Sequence, residues 1–167
     1  MYPKALPAPD GPVTVISHAL LERALEQSRC SSRGRIILPF HPGPDDRLHR
    51  MLNALQPGSY VRPHRHLSPP KAESIVLLRG KLGFVTFLDD GSVDRRLVLA
   101  AGSASFGVDC HPGLFHTIFA LEPDTVVFEV KPGPYDPASD KDFAPWAPEE
   151  GSPESAAYLE RLVRLLD

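Results

Sequence analysis

From Ile36 to Lys131 the chain is a succession of short apolar runs, each stopped by a proline, a glycine or a polar turn cluster before it reaches helical length. A helix needs roughly ten or more residues to bury one face, whereas a strand needs about four to eight. The 167 residues include 19 prolines and 12 glycines, placed between the apolar runs rather than in a low-complexity tract. Stops of this kind leave strands as the regular element open to this stretch. The runs are Ile36–Phe40, Leu48–Leu55, Tyr60–His66, Glu73–Arg79, Lys81–Leu88, Val93–Leu99, Ala104–Val108, His116–Leu121 and Thr125–Lys131. Asp89-Asp90-Gly91 is a hairpin turn between two of them. Six to ten short strands with no helix between them predict an all-β antiparallel jelly roll.

The ends of the chain read differently. Residues 1–12 are proline-rich and read as a loose segment. Ser17 is placed to N-cap a helix over His18–Gln27, with Ala19, Leu20, Leu21, Ala24 and Leu25 as its apolar face. Pro132–Gly151 carries no periodicity but holds Tyr135, Phe143 and Trp146, aromatics expected to pin it back onto the barrel. Ser152-Pro153-Glu154 then opens a terminal helix with an N-cap, a proline in the first turn and a favourably placed acid. Its apolar face is Ala157, Tyr158, Leu162, Leu165 and Leu166. The organisation expected is one domain over residues 13–151, closed by a helix over 152–167, with no internal repeat.

A formal net charge of −3, with both signs scattered, gives no basic patch for nucleic acid and no cationic face for a membrane. No apolar run approaches the roughly 20 residues of a membrane span, and the opening MYPKALPAPDG lacks the pattern of a signal peptide. Cys30 and Cys110 stand at no metal or redox spacing and read as reduced thiols. The expectation is a cytoplasmic protein without nucleic-acid or membrane partners.

The chemistry is concentrated in GSYVRPHRHLSPPKAESIVLLRG, Gly58 to Gly80. His64 and His66 are two residues apart, so on a strand both point to one face. Glu73 opens the next apolar run, and HPGLFHTIF, from His111 to Phe119, supplies His116. Imidazoles with a carboxylate form a donor set for a divalent transition metal. Glu73 can serve as a fourth ligand or orient a ligating histidine by hydrogen bonding. Such a set leaves one or two coordination positions for water or a small-molecule ligand. Tyr60 and Arg62 share the parity of the two histidines and, on a regular strand, face the same cavity as candidate catalytic groups. Arg62 would anchor an anionic substrate or pair with Glu129 or another internal acid, and Tyr60 would act as an acid or orienting group. Glu129 and Lys131 alternate with Phe128 and Val130, so one face of that run enters the barrel. His18 and His49 have no reason to be ligands; His111 reads as a surface-loop histidine in preference to a ligand at the cavity mouth, and His41 as a structural histidine in preference to a cavity lid.

The spacing of Gly58, His64, His66, Glu73 and Gly80 resembles the first motif of the cupins, and Pro112-Gly113-Leu114-Phe115-His116 resembles the second. The gap from His66 to Glu73 is six residues, longer than in most cupins, and Ala120 stands where the second motif ends in asparagine. RMLNALQPGSYVRPHRH, VVFEVKPGPYDP and DKDFAPWAPEEG are similar to stretches of the WbuC-type cupin-fold metalloproteins, which share the longer gap. That resemblance, from the first helix to Gly151, implies a cupin double-stranded β-helix holding one divalent metal ion (Zn, Fe, Mn or Ni). It further implies a homodimer and an association with bacterial surface-polysaccharide metabolism, but no particular reaction. Two readings of function stand at this point: a metal-dependent enzyme acting on a small anionic or sugar-derived molecule, and a non-catalytic module that binds or senses one.

Overall fold

The structure, a computed structural model, describes residues 4–166. Helix α1 (His18–Cys30) precedes nine strands: β1 (Arg35–Pro39), β2 (Leu48–Leu55), β3 (His64–Arg65), β4 (Glu73–Arg79), β5 (Lys81–Phe87), β6 (Val93–Ala100), β7 (Gly107–Cys110), β8 (Phe115–Ala120) and β9 (Thr125–Pro132). A short β10 (Asp142–Phe143) and helix α2 (Pro153–Arg164) follow.

The pairings define the architecture. β2 pairs with β9, β3 with β8, β4 with β7 and β5 with β6, all antiparallel. This is one long hairpin folded over on itself. Cross-pairs β4–β9 and β5–β8 close it into two facing sheets, ordered β1-β2-β9-β4-β7 and β10-β3-β8-β5-β6. Eight strands so nested are a jelly roll, as the spacing of the apolar runs predicts.

The barrel interior is divided along its length. At one end Ile75, Leu77, Leu82, Phe84, Leu99, Ala120 and Val127 form an apolar plug. At the other end the inward positions of the same strands are polar: Glu73 on β4, Thr86 on β5, His116 on β8, Glu129 and Lys131 on β9. Each helix covers the outer face of one sheet. Leu21, Ala24 and Leu25 of α1 pack on Ile36, Leu38, Leu52, Ala54 and Val126. Leu159 and Leu162 of α2 pack on Val85, Phe87, Phe115 and Phe119. β5 is therefore buried on both faces, consistent with its unbroken run from Leu82 to Phe87.

Several local expectations are corrected. Within the segment 1–12, Leu6 N–H donates to the Ile37 carbonyl at 2.7 Å beside β1, while residues 1–3 lie outside the described residues. The Ser17 cap is as expected, its side chain accepting from Leu20 N–H, but α1 continues to Cys30 and buries Ser28. In α2 the Ser152 side chain makes no capping bond, and the buried face uses Leu159 while Ala157 is exposed. Of the tail aromatics Trp146 packs against Phe87 and Phe115, Phe143 is half-exposed with one side toward His64, and Tyr135 is exposed. None of the helices formed by the described residues is long and apolar enough to cross a membrane.

Candidate metal centre

Three imidazoles converge at the polar end of the barrel. His64 on β3 lies directly across from His116 on β8, and His66 follows just past the end of β3. Between them Arg65 turns outward to pair with Asp142, so the two-residue parity holds over this short span. All three histidines are buried, and one ring nitrogen from each lies within 4.8 Å of the others.

The second nitrogen of each ring determines the tautomer. Nδ1 of His64 bonds the Arg62 carbonyl at 2.9 Å, Nδ1 of His116 bonds the Leu114 carbonyl at 2.9 Å, and Nδ1 of His66 bonds the Asp140 carbonyl. A carbonyl can only accept, so each Nδ1 must carry the proton. Each Nε2 is thereby turned to the interior, the arrangement that orients metal-binding histidines. His66 Nε2 is buried with no hydrogen-bond partner, a cost a bound cation would remove.

Glu73 joins this group. Its Oε2 accepts from His116 Nε2 at 3.0 Å, and its Oε1 lies 3.9 Å from His66 Nε2. Burial pushes the Glu73 carboxyl up, but the His116 hydrogen bond and charge, with Lys131, hold it well below the ordinary range. For His116 burial opposes protonation, yet Cys110 and Glu73 push the ring up to about 10. A proton on His116 thus balances Glu73 in the place a cation would take. Burial, Lys141 and the neighbouring His116 drive His64 well below its usual value, and burial with Lys131 lowers His66. Two neutral rings with Nε2 lone pairs, a third whose Nε2 proton a cation would displace, and an ionised carboxylate fit a divalent ion with borderline ligand preference.

Behind the histidines lies a buried ionic network. Lys131 Nζ is 3.3 Å from Glu129, 3.5 Å from Asp140 and 3.8 Å from Glu73. Lys71 Nζ donates to Asp140 at 3.0 Å and to the Pro134 carbonyl at 2.6 Å. Asn53 donates to Glu129 at 2.6 Å. Burial and the Glu73 charge push the Glu129 carboxyl up to about 7. It is the charged face of β9 that enters the barrel, while Phe128 packs outward beneath α1. The signal in the sequence was two charges one strand period apart in a central run. Asp140 and Lys141 left no such signal, because they sit in an aperiodic tail.

The side chains of Tyr60 and Arg62 do not join the histidine cluster. Pro57, Pro63 and a left-handed Gly58 prevent a ladder before His64, so alternation does not extend back to residues 60 and 62. Tyr60 is packed in the outer layer against Tyr158, and its hydroxyl donates to the Pro148 carbonyl at 2.9 Å. Arg62 lies over the Phe143 ring, donates to the Ala144 carbonyl at 3.0 Å and is 3.8 Å from Glu149 rather than Glu129. Its contribution to the cluster is its carbonyl, which orients His64. Away from the centre, His41 and His49 stack at 4.0 Å between ring centroids, and His49 Nε2 donates to the Pro44 carbonyl.

The fold and site together define a jelly-roll barrel with three convergent histidines and a carboxylate at one end. The chain belongs to the family described as Domain of unknown function (DUF6016), which matches residues 16–99. No curated protein matches. Among solved structures, a variant of oxalate decarboxylase from Bacillus subtilis is similar at 19% identity and a TM-score of 0.47, over 59% of this chain and 24% of that one. The capsular polysaccharide assembling protein CapF from Staphylococcus aureus is similar at 24% identity and a TM-score of 0.47, over 59% of this chain and 27% of that one. A further Bacillus subtilis oxalate decarboxylase structure, described by its Mn(II) centres, is similar at 19% identity and a TM-score of 0.47, with the same coverage as the first. The chain thus spans about a quarter of the length of the proteins it matches.

Proposed function

We propose that this protein is a cupin-type metalloprotein and a metal-dependent enzyme acting on a small anionic or sugar-derived molecule. The observation that carries the reading is the backbone locking of all three Nδ1 atoms, which turns three Nε2 atoms toward one another beside Glu73. His64, His66, His116 and Glu73 would hold one divalent ion, with Zn, Fe, Mn and Ni all compatible with the donor set. When bound, such an ion supplies Lewis acidity and an acidified water, and a redox metal also supplies access to dioxygen.

The chain's own residues do the rest. The backbone carbonyls of Arg62, Leu114 and Asp140 hold a proton on each Nδ1 and orient the rings. Glu129, held by Asn53 and raised by burial, is the carboxyl best suited to hold a proton at neutral pH. The apolar plug closes the far end of the barrel, and β10 lies at the histidine end. The resemblance to WbuC-type proteins supports a sugar or nucleotide-sugar substrate in surface-polysaccharide metabolism, a cytoplasmic location and a homodimer.

Metal analysis of untagged protein tests the reading: about one equivalent of a single metal is expected, lost in His64→Ala. Substoichiometric mixed metals unchanged by that substitution would refute it. Titrating the loaded protein with sugars and organic acids while assaying product then separates the two functions. Saturable binding with the ligand always recovered unchanged would leave a binding or sensing module.

A further inference from the structure

The short strand β10 places one more charged side chain at the barrel mouth. β10 pairs with β3, with Asp142 opposite Arg65 and Phe143 opposite His64. Asp142 bonds Arg65 at 2.7 Å on the outer face, where Arg65 also lies over Phe115. The alternate positions, 141 and 143, therefore belong to the inner face. Phe143 bears this out, its ring centroid 6.1 Å from that of His64. Lys141 directly follows Asp140, whose carbonyl holds His66. It is only part-exposed; burial and the neighbouring Lys131 lower its pKa, Glu129, Glu73 and Asp140 oppose that, and its charge in turn lowers His64.

The ion pairs of the interior leave this ammonium over. Asp140 is taken by Lys71 and Lys131, Glu129 by Lys131 and Asn53, and Glu73 by His116. Among the described residues no carboxylate oxygen lies within 4.0 Å of Lys141 Nζ. A divalent ion held by the histidines would add positive charge beside a buried cluster in which Lys71 and Lys131 already take up Asp140 and Glu129. Uncompensated charge in a buried site is costly, and an incoming anion removes that cost.

We infer that Lys141 is the anion-anchoring residue of this centre, and that the ligand is a small oxyanion, a carboxylate or a phosphate, lying between the histidine cluster and the Lys141 ammonium. The exposed Phe143 ring beside it offers an apolar platform to the rest of the ligand. This deepens the metal-site reading and rests on it.

The test is titration of the full chain loaded with Co(II), read from the visible spectrum of the ion and from calorimetry. The probes are acetate, inorganic phosphate and glucuronate, with glucose as the neutral control. Lys141→Met is expected to weaken the oxyanions about ten- to a hundredfold, the size of a lost charge-assisted hydrogen bond. Co(II) stoichiometry and any glucose binding stay unchanged, and Lys141→Arg recovers most of the loss. Lys141→Gln supplies the comparison if the methionine variant unfolds. Acetate and phosphate together set the preferred class. Oxyanion affinities within twofold of the parent in Lys141→Met, or no oxyanion binding by the parent with one Co(II) bound, overturn the inference and leave the metal reading intact. Failure to bind Co(II) sinks the metal reading instead. Titration of the metal-free chain then decides Lys141, with loss on Lys141→Met supporting it and equal or absent binding overturning it.

Discussion

Removing the Asp140 carboxylate should be among the most destabilising single changes available outside the apolar core. Asp140 is 3% exposed and bonds Lys71 at 3.0 Å, with Lys131 at 3.5 Å. Asp140→Ala leaves Lys71, also 3% exposed, with the Pro134 carbonyl as its remaining partner, whereas Lys131 keeps Glu129 and Glu73. Breaking a buried ion pair by deleting one partner costs about 3–5 kcal/mol, because the other charge stays buried. Since Lys71 keeps one bond, the lower end applies, about 3 kcal/mol, or a fall in melting temperature of about 6–12 °C for a domain of this size. Asp89→Asn is the control: Asp89 meets Arg65 at 3.1 Å, but its side chain is 88% exposed, so the change should stay within about 0.5 kcal/mol. Urea denaturation of chelator-treated protein measures both without a metal contribution. The double variant Lys71→Met/Asp140→Leu should recover much of the loss, since no lone charge remains. A cost below about 1 kcal/mol for Asp140→Ala would refute the reasoning and mean that water reaches the network.

The sign of the pH dependence follows from the same network. Glu129 is raised from 4.5 to about 7, so the folded state prefers it protonated. Its favourable contribution is complete below 4.5 and is lost as the pH rises through 7. Metal-free wild type should therefore lose stability relative to Glu129→Gln between these values, by denaturation at stepped pH; parallel curves would refute it. Gly83→Ala would drive a Cβ into the Phe119 ring and to 2.6 Å from Leu166, between β5 and the residues just past α2. Overpacking of this kind should cost about 1–3 kcal/mol and loosen α2, seen as faster amide exchange there; an unchanged melting curve would show that Phe119 and Leu166 yield freely.

Much of the fold is legible in the chain because its signals are local. Glu73–Arg79 starts and ends where β4 does, and Leu48–Leu55 where β2 does, since turn chemistry bounds both. The histidine pair is readable for the same reason: one outward arginine separates two inward rings, whatever else the chain does. The error at Tyr60 and Arg62 came from extending that alternation through Pro63, where a missing N–H and an irregular approach end the strand. In β9 the alternation was clear but its direction was not. Glu129 and Lys131 face inward because α1 already covers Phe128, and because the barrel interior holds Glu73 and Asp140 as partners for the lysine. Which face of a strand is buried depends on what packs against each side, and that is not a local property.

What the sequence by itself determined, then, is a set of turns, strand periods and motif spacings that resolve into an antiparallel jelly roll and bring three imidazoles to one barrel. Tertiary structure alone decided how that site is completed. It supplied the three backbone carbonyls that turn every Nε2 inward, and it brought the tail back to the barrel so that Asp140 closes the ionic network. The physical reason is range. Periodicity and turn preference act over a few residues, whereas Asp140 meets His66 and Lys71 across about seventy, where only the closed barrel brings them together.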